Sequence, residues 1–179
     1  MSVHETTIIY PRCKVDESVV IGAFSVIGAT NTNFRDGKRV KTDYGVILEK
    51  NVDIGYGTII TRGTKRHTHI MENVIIGHQC LVGHDNLINQ NVQIMSGSKL
   101  MGFVEIGSDS FIGACTDIKN RVRIGSNAYI GMGSLVLEDV PDNALGYGRP
   151  FKIVRYTDTL THKLNDLRRK IEFKLDQRA

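Results

Sequence analysis

Cysteine is scarce in this chain of 179 residues: there are three, Cys13, Cys80 and Cys115, and no two stand in C-x-x-C spacing. An odd set of that kind closes no full disulfide framework and carries no zinc signature, so a reducing, cytoplasmic setting is expected. Long apolar runs are missing as well. Nothing approaches the roughly 20 consecutive apolar residues of a membrane-spanning helix, and the stretch Met1 to Cys13 carries Glu5 and no apolar segment of its own, so neither a span nor an export signal is expected. The formal charge of +4 would permit nucleic-acid binding, but the basic residues are scattered and no recognition motif accompanies them. The excess points instead to an anionic small ligand.

What the chain does have is a repeat. A branched aliphatic residue recurs every six positions at Ile70, Ile76, Val82, Ile88, Ile94, Leu100, Ile106, Ile112, Ile118, Ile124, Ile130 and Val136, with no member missing. Four residues after each stands a small or β-branched side chain: Val74, Cys80, Asn86, Val92, Ser98, Val104, Ser110, Thr116, Val122, Ala128, Ser134 and Val140. Strand side chains alternate with period two, so six residues return the same face inward. A corner in each hexad then lets three hexads close a triangular coil, and coils stacked at roughly 4.8 Å pair every strand with those above and below. Gly77, Gly83, Asn89, Gly107, Gly113, Gly125 and Gly131 directly follow the aliphatics, as suits a bend where φ is positive. The same register runs through Val3, Ile9, Val15, Ile21 and Ile27 and resumes at Leu48, Ile54 and Ile60, so about seven coils are expected.

Two insertions interrupt the repeat, one from about Asn31 to Lys41 and one of four residues between Arg62 and His69. Both are basic, and either solvated loops or anion-binding loops would account for them. After Pro141 the repeat stops. Leu160, Leu164, Leu167, Ile171 and Leu175 then share one face of a helix that Asp158 or Thr159 would cap, expected to cover the last coil. The organisation read from this is a solenoid over 1–155 and a helix over 156–179.

The pattern of aliphatic, Gly, two variable residues and a small residue resembles the bacterial hexapeptide-repeat acyltransferase superfamily over most of the chain. That resemblance, and not the periodicity, implies a left-handed parallel β-helix and a homotrimer. Within the repeat, Gly83-His84-Asp85-Asn86 is the segment richest in chemistry. His84 is the second residue after inward Val82, near a corner and directed away from the core, where a neutral imidazole can take a proton from an amine or hydroxyl. Asp85 either orients His84 or satisfies only local backbone groups. His followed by Asp, Glu or Asn at such a corner resembles the general base of lipid A acyltransferases and of amino-sugar nucleotide N-acetyltransferases. Arg62-Gly63, then Thr68-His69-Ile70, with His84 sixteen residues after Thr68, is similar to UDP-3-O-acylglucosamine N-acyltransferase. On this resemblance Arg62 and Asn86 are expected to contact the substrate. Eighteen residues beyond His84 is Gly102, which either serves the bend alone or, as the resemblance implies, offers its N–H to the oxyanion. Where the UDP-N-acetylglucosamine O-acyltransferases carry a second histidine, this chain has Phe103, which argues against that particular activity.

Asp139-Val140-Pro141 followed by Gly148-Arg149-Pro150-Phe151-Lys152 resembles the tail of the CoA-dependent members, with Phe151 in place of the usual Ala. The resemblance implies acetyl-CoA as donor, Ala114 and Met132 lining its pantetheine arm on the corner column of Gly102, and Arg149 and Lys152 meeting its phosphates. His78 and His84 lack the spacing of the γ-class carbonic anhydrases, whose third histidine falls here at Thr42, so no metal is expected. His67 and His69 are read as loop residues, Cys13 and Cys80 as core. The expectation is an acetyl-CoA-dependent sugar acetyltransferase. The alternatives are an acyl carrier protein-dependent lipid A type N-acyltransferase, whose usual amino-terminal uridine-binding domain has no counterpart here, and a noncatalytic scaffold.

Overall fold

A computed structural model describes residues 2–30, 34–35, 37–39 and 42–157. Three parallel sheets form the walls of a prism. The first holds eight parallel strands from Ser2–Val3 to Ala144–Tyr147, with Lys152–Tyr156 added antiparallel at its end. The second runs from Ile8–Ile9 to Leu135–Val136, and the third from Lys14–Val15 to Arg123–Ile124. Where no insertion intervenes, partners within the repeat are eighteen residues apart, as in Leu81 opposite Lys99 and Lys99 opposite Asp117, so three hexads make one turn.

Every aliphatic of the twelve-hexad series is at most 1% exposed, and every partner at the second inward position is buried too. Burying each such Ile or Leu contributes roughly 1.5–3 kcal/mol, and the core is one continuous column from Val19 to Ala144. The serine hydroxyls of that column are satisfied locally: those of Ser98 and Ser110 donate to the carbonyls of Gly113 and Gly125 at 3.0 and 2.8 Å.

Four sequence expectations need correction. The stack has eight turns in the first wall, not seven, because Ala144–Tyr147 continues it after the hexad register has ended. Positive φ does not fall on Gly77, Gly83, Asn89, Gly107, Gly113, Gly125 or Gly131. It falls two residues later, at Gln79, Asp85, Asn91, Phe103, Asp109, Cys115, Arg121 and Asn127. The glycines answer a different need, close stacking: a Cβ on Gly83 would stand 2.6 Å from the Met101 carbonyl carbon of the next turn. His69 belongs not to a loop but to the strand Thr68–Ile70, where its Nε2 meets Glu49 Oε1 at 2.7 Å.

The fourth correction concerns the carboxy-terminal end. Tyr156, where the helical segment was expected to begin, closes the strand Lys152–Tyr156, and no helix occurs among the described residues. The remainder of that expectation, 158–179, lies outside them. Phe151 is instead one of the half-buried side chains packed on the core, so the residue that departs from the usual Ala helps cover the final turn. The first insertion holds a short antiparallel hairpin, Phe34–Arg35 with Lys38–Arg39.

Candidate active site

The second insertion ends one residue before Thr68, and the next turn of the prism brings His84 alongside it. His84 lies on the corner between the second and third walls, leaving Leu81–Val82 and entering Leu87–Ile88. Its ring is not in the core. The side chain is 16% exposed, with Nδ1 2.7 Å from Asp85 Oδ2. Donation from Nδ1–H to the carboxylate leaves Nε2 as the basic nitrogen.

Asp85 has φ +62 and is fully buried. The left-handed turn sends its carboxylate under the corner into the inserted loop, which wraps it with donors. The Thr64 hydroxyl donates at 2.6 Å, and the backbone N–H groups of Thr64, Lys65 and Arg66 at 3.0, 2.7 and 2.8 Å. Arg66 Nε also donates to the Asp85 carbonyl at 2.9 Å, and the Asp85 N–H donates to the Thr68 hydroxyl at 3.0 Å. Burial pushes the Asp85 carboxyl up, but the bonds from Thr64, Lys65, Arg66 and His84 outweigh it and hold the group below the ordinary carboxylate range. The loop is therefore an anion-binding loop whose anion is the chain's own Asp85. Sequence reading saw its basic side chains and missed Thr64, Lys65 and Arg66 as donors, because backbone N–H groups leave no residue signature. The available signal was a four-residue insertion one turn before a histidine at a corner.

Gly102 sits directly beyond His84 in the stack. A Cβ there would lie 2.5–2.6 Å from Cε1 and Nε2 of the ring, so only glycine lets the imidazole lie flat on this backbone. Among the described residues no acceptor is found for the Gly102 N–H. Phe103 closes the other side, its ring edge-on to His84 at 5.2 Å, with the Arg121 guanidinium 4.6 Å from its centroid.

The other expected site residues are placed differently. Asn86 is fully buried at the inward position, its Oδ1 accepting the Val104 N–H at 2.6 Å, so it staples two turns together, while its buried Nδ2 finds no partner among the described residues. Arg62 turns to the preceding coil, donating from Nε to Gly28 O at 2.9 Å and lying over the Tyr10 ring. Ala114 and Met132 share a column, since the Gly133 N–H donates to Ala114 O. That column carries His78 and Ser96 on the corner between the first and second walls. The Gly102 column continues instead to Asn120, whose neighbour Arg121 donates its N–H to Gly102 O at 3.0 Å. Arg149 lies over the second wall, its guanidinium 3.0 Å from Asp117. Lys152 lines a groove of about 530 Å³ with Leu137, Glu138, Asp139 and Phe151 at the final turn.

Cys13, Cys80 and Cys115 are unpaired. Burial raises the thiols of Cys13 and Cys80. His78 stacks on Tyr56 at 3.7 Å, and His67 Nδ1 accepts the Gly45 N–H at 3.0 Å, so both rings have structural partners. Among the described residues no three His, Cys, Asp or Glu side chains gather with metal-binding geometry, and no helix is long and apolar enough to cross a membrane.

The prism and its repeat define the class: the chain belongs to the hexapeptide-repeat β-helix superfamily. Among its relatives, serine acetyltransferase 4 of Arabidopsis thaliana is 30% identical over 67% of this chain and 32% of that protein. The bifunctional protein GlmU of Thermotoga petrophila is 30% identical over 86% of this chain and 39% of that one. The chain thus spans roughly a third of the length of these curated relatives. The crystal structure of a UDP-N-acetylglucosamine acyltransferase from Bacteroides fragilis superposes with a TM-score of 0.79 at 20% identity, over 93% of this chain and 63% of that one. A mirror-image coil would not superpose in this way, so the hand is that of the left-handed β-helix. No family model matches the chain.

Proposed function

We propose that the chain is an acyltransferase that moves acetyl from acetyl-CoA to an amine or hydroxyl of a nucleotide-activated sugar, in a cleft between protomers of a homotrimer. The observation that carries this reading is the imidazole of His84, clamped by a buried carboxylate and laid flat on Gly102. The matched relatives, a serine acetyltransferase among them, support the reaction class. The three unpaired cysteines fit a cytoplasmic location.

His84 Nε2 accepts the proton of the acceptor N–H or O–H as its lone pair attacks the thioester carbonyl. Asp85 stabilises the imidazolium that forms, and its anchoring in the loop keeps the ring from swinging off Gly102. The Gly102 N–H, for which no acceptor is found among the described residues, donates to the oxyanion of the tetrahedral intermediate. When the C–S bond breaks, His84 returns the proton to the departing thiolate, so no acyl-enzyme forms. Acetyl-CoA is a substrate here and fits the chain's polarity: Arg149 and Lys152 stand three to four turns beyond His84, roughly 15–20 Å at the parallel-strand spacing, and suit its phosphates. Ala114 and Met132, the latter 75% exposed, serve the donor from the neighbouring protomer's corner. Arg62 and Asn86 are assigned no contact with the acceptor.

The test is thiol release from acetyl-CoA with a panel of nucleotide amino sugars, on wild type and His84→Ala. Loss of a positioned base lowers kcat by about 10²- to 10⁴-fold, with the melting temperature little changed. Near-normal turnover in His84→Ala would remove the proposal's base, and light scattering that returned a monomer would remove its cleft.

A further inference from the structure

Beside Phe103 the corner opens into a groove of about 360 Å³ lined by Lys65, Arg66, Phe103, Glu105, Arg121 and Arg123. Four cations face one carboxylate. Glu105 is taken by Arg66, whose guanidinium lies 3.1 Å away, while Lys65, Arg121 and Arg123 make no ion pair among the described residues. These side chains come from two successive turns and the insertion, and the cations are each held at the base. The Lys65 and Arg66 amides are fixed on Asp85, the Arg121 amide on Gly102 O, and the Arg123 amide on Asp139 Oδ1 at 2.8 Å. The Arg121 guanidinium rests on the Phe103 ring, so its fork is oriented before any ligand arrives.

We infer that this groove is a diphosphate subsite beside the reacting centre, with Lys65, Arg121 and Arg123 holding phosphoryl oxygens. Arginine forks pair bidentately with oxyanions, and a diphosphate has oxygens enough to engage two forks and a lysine at once, which a single carboxylate or halide does not. A concave floor of this volume is large enough to enclose a small anion. Phe103 joins the two sites physically: one edge meets the His84 ring, and a face carries Arg121. A phosphate seated there anchors a molecule whose reacting atom lies one aromatic ring away, at Nε2. The inference deepens the acyl-transfer reading and rests on it only for the phosphate's carrier, since both the CoA donor and a nucleotide-activated acceptor bring a diphosphate.

The experiment is calorimetric titration of the full chain with inorganic pyrophosphate, for wild type and for Arg121→Asn with Arg123→Gln. Asn suits position 121 because φ there is +66. At least a tenfold loss of pyrophosphate affinity in the double variant, with an unchanged circular dichroism melt, is expected. Unchanged affinity overturns the subsite. Two further arms identify the carrier. If it is the donor, the double variant loses the preference for CoA over pantetheine, and if it is the acceptor, it loses the preference for UDP over uridine. Loss of neither preference overturns the subsite's part in the reaction. Pyrophosphate titration needs no turnover, so a failure of the acyl-transfer reading in the thiol assay stays separate from a failure here.

Discussion

Two corners of the prism solve the same backbone problem in different ways. Both place a left-handed residue just before the chain re-enters the core. Between the third and first walls that residue is Asn51, Asn73, Asn91, Asp109 or Asn127, turn after turn. Asn and Asp tolerate this region best. Their side chains also link the turns: Asn51 donates to Asn73 at 3.1 Å, Asn73 to Asn91 at 3.2 Å and Asn91 to Asp109 at 3.0 Å. Between the second and third walls the corresponding residues are Asp85, Phe103 and Arg121. A bulky side chain held there costs roughly 1–2 kcal/mol, and this column returns no ladder of turn-to-turn amides for it. Instead Asp85 holds His84, Phe103 borders it and Arg121 lies on Phe103. One corner is built for stacking. The other gives up ease of folding to set side chains around an imidazole, a pattern typical of functional sites.

If that division is real, changes at the two corners have separable consequences. The largest is expected at Gly102→Ala, where a methyl group 2.5 Å from the ring displaces His84 from its seat. A shift of about 1 Å costs on the order of 10²-fold in turnover, and steady-state kinetics would show it as a fall in kcat with little change in KM for the donor. Wild-type kcat in this variant would mean that the close packing of ring and glycine is incidental.

Asp85→Asn comes next. The carboxylate accepts four donors from the inserted loop as well as the His84 ring, and the amide replaces one acceptor oxygen with a donor facing donors. A loss of about 3 kcal/mol follows from unsatisfied buried groups. The pH dependence gives a sharper signature. The folded-state pKa of Asp85 lies below its unfolded value near 3.8, so its contribution is fully present above that value and is lost as pH falls through the lower, folded value. Urea midpoints measured from neutral pH down into that acid range should therefore fall more steeply for wild type than for Asp85→Asn. Parallel curves would show that the loop does not hold an ionised carboxylate.

The inward column was readable before any coordinates because a packed prism admits one side-chain pattern, and every aliphatic from Ile70 to Val136 obeys it. His84 was readable for the complementary reason: the inward places of its hexad fall to Val82 and Asn86, so a polar ring at the corner between them points out. Asn86 shows how a motif can mislead, since its place in the hexad already assigned it to the core while its position next to Asp85 suggested substrate. Ala114 and Met132 were put on the Gly102 corner although counting by eighteens joins them to His78. The glycines after the aliphatics were read for dihedral freedom, whereas their stacked neighbours require them for lack of a Cβ. The grip on Asp85 was hidden most completely, because it is made largely of main-chain N–H groups.

The smallest expected effect tests the comparison from its structural side. Asn91 accepts from Asn73 and donates to Asp109 at the exposed surface, with φ +61. Replacing it with alanine removes two hydrogen bonds that water competes for, each worth about 0.5 kcal/mol, and leaves a Cβ in the left-handed region at roughly 1 kcal/mol. Glycine removes the same bonds without the backbone penalty. Chemical denaturation should therefore rank wild type above Asn91→Gly and Asn91→Ala lowest, spanning about 2 kcal/mol in all. Turnover below the unfolding transition should be the same in all three. The paired change at the other corner, Phe103→Gly, relieves the same strain yet removes the edge contact to His84, so it should hold or raise stability while lowering kcat. If Asn91→Gly slowed turnover as much as Phe103→Gly, the corners would not divide the work, and the geometry around His84 would depend on the whole stack and not on its own column.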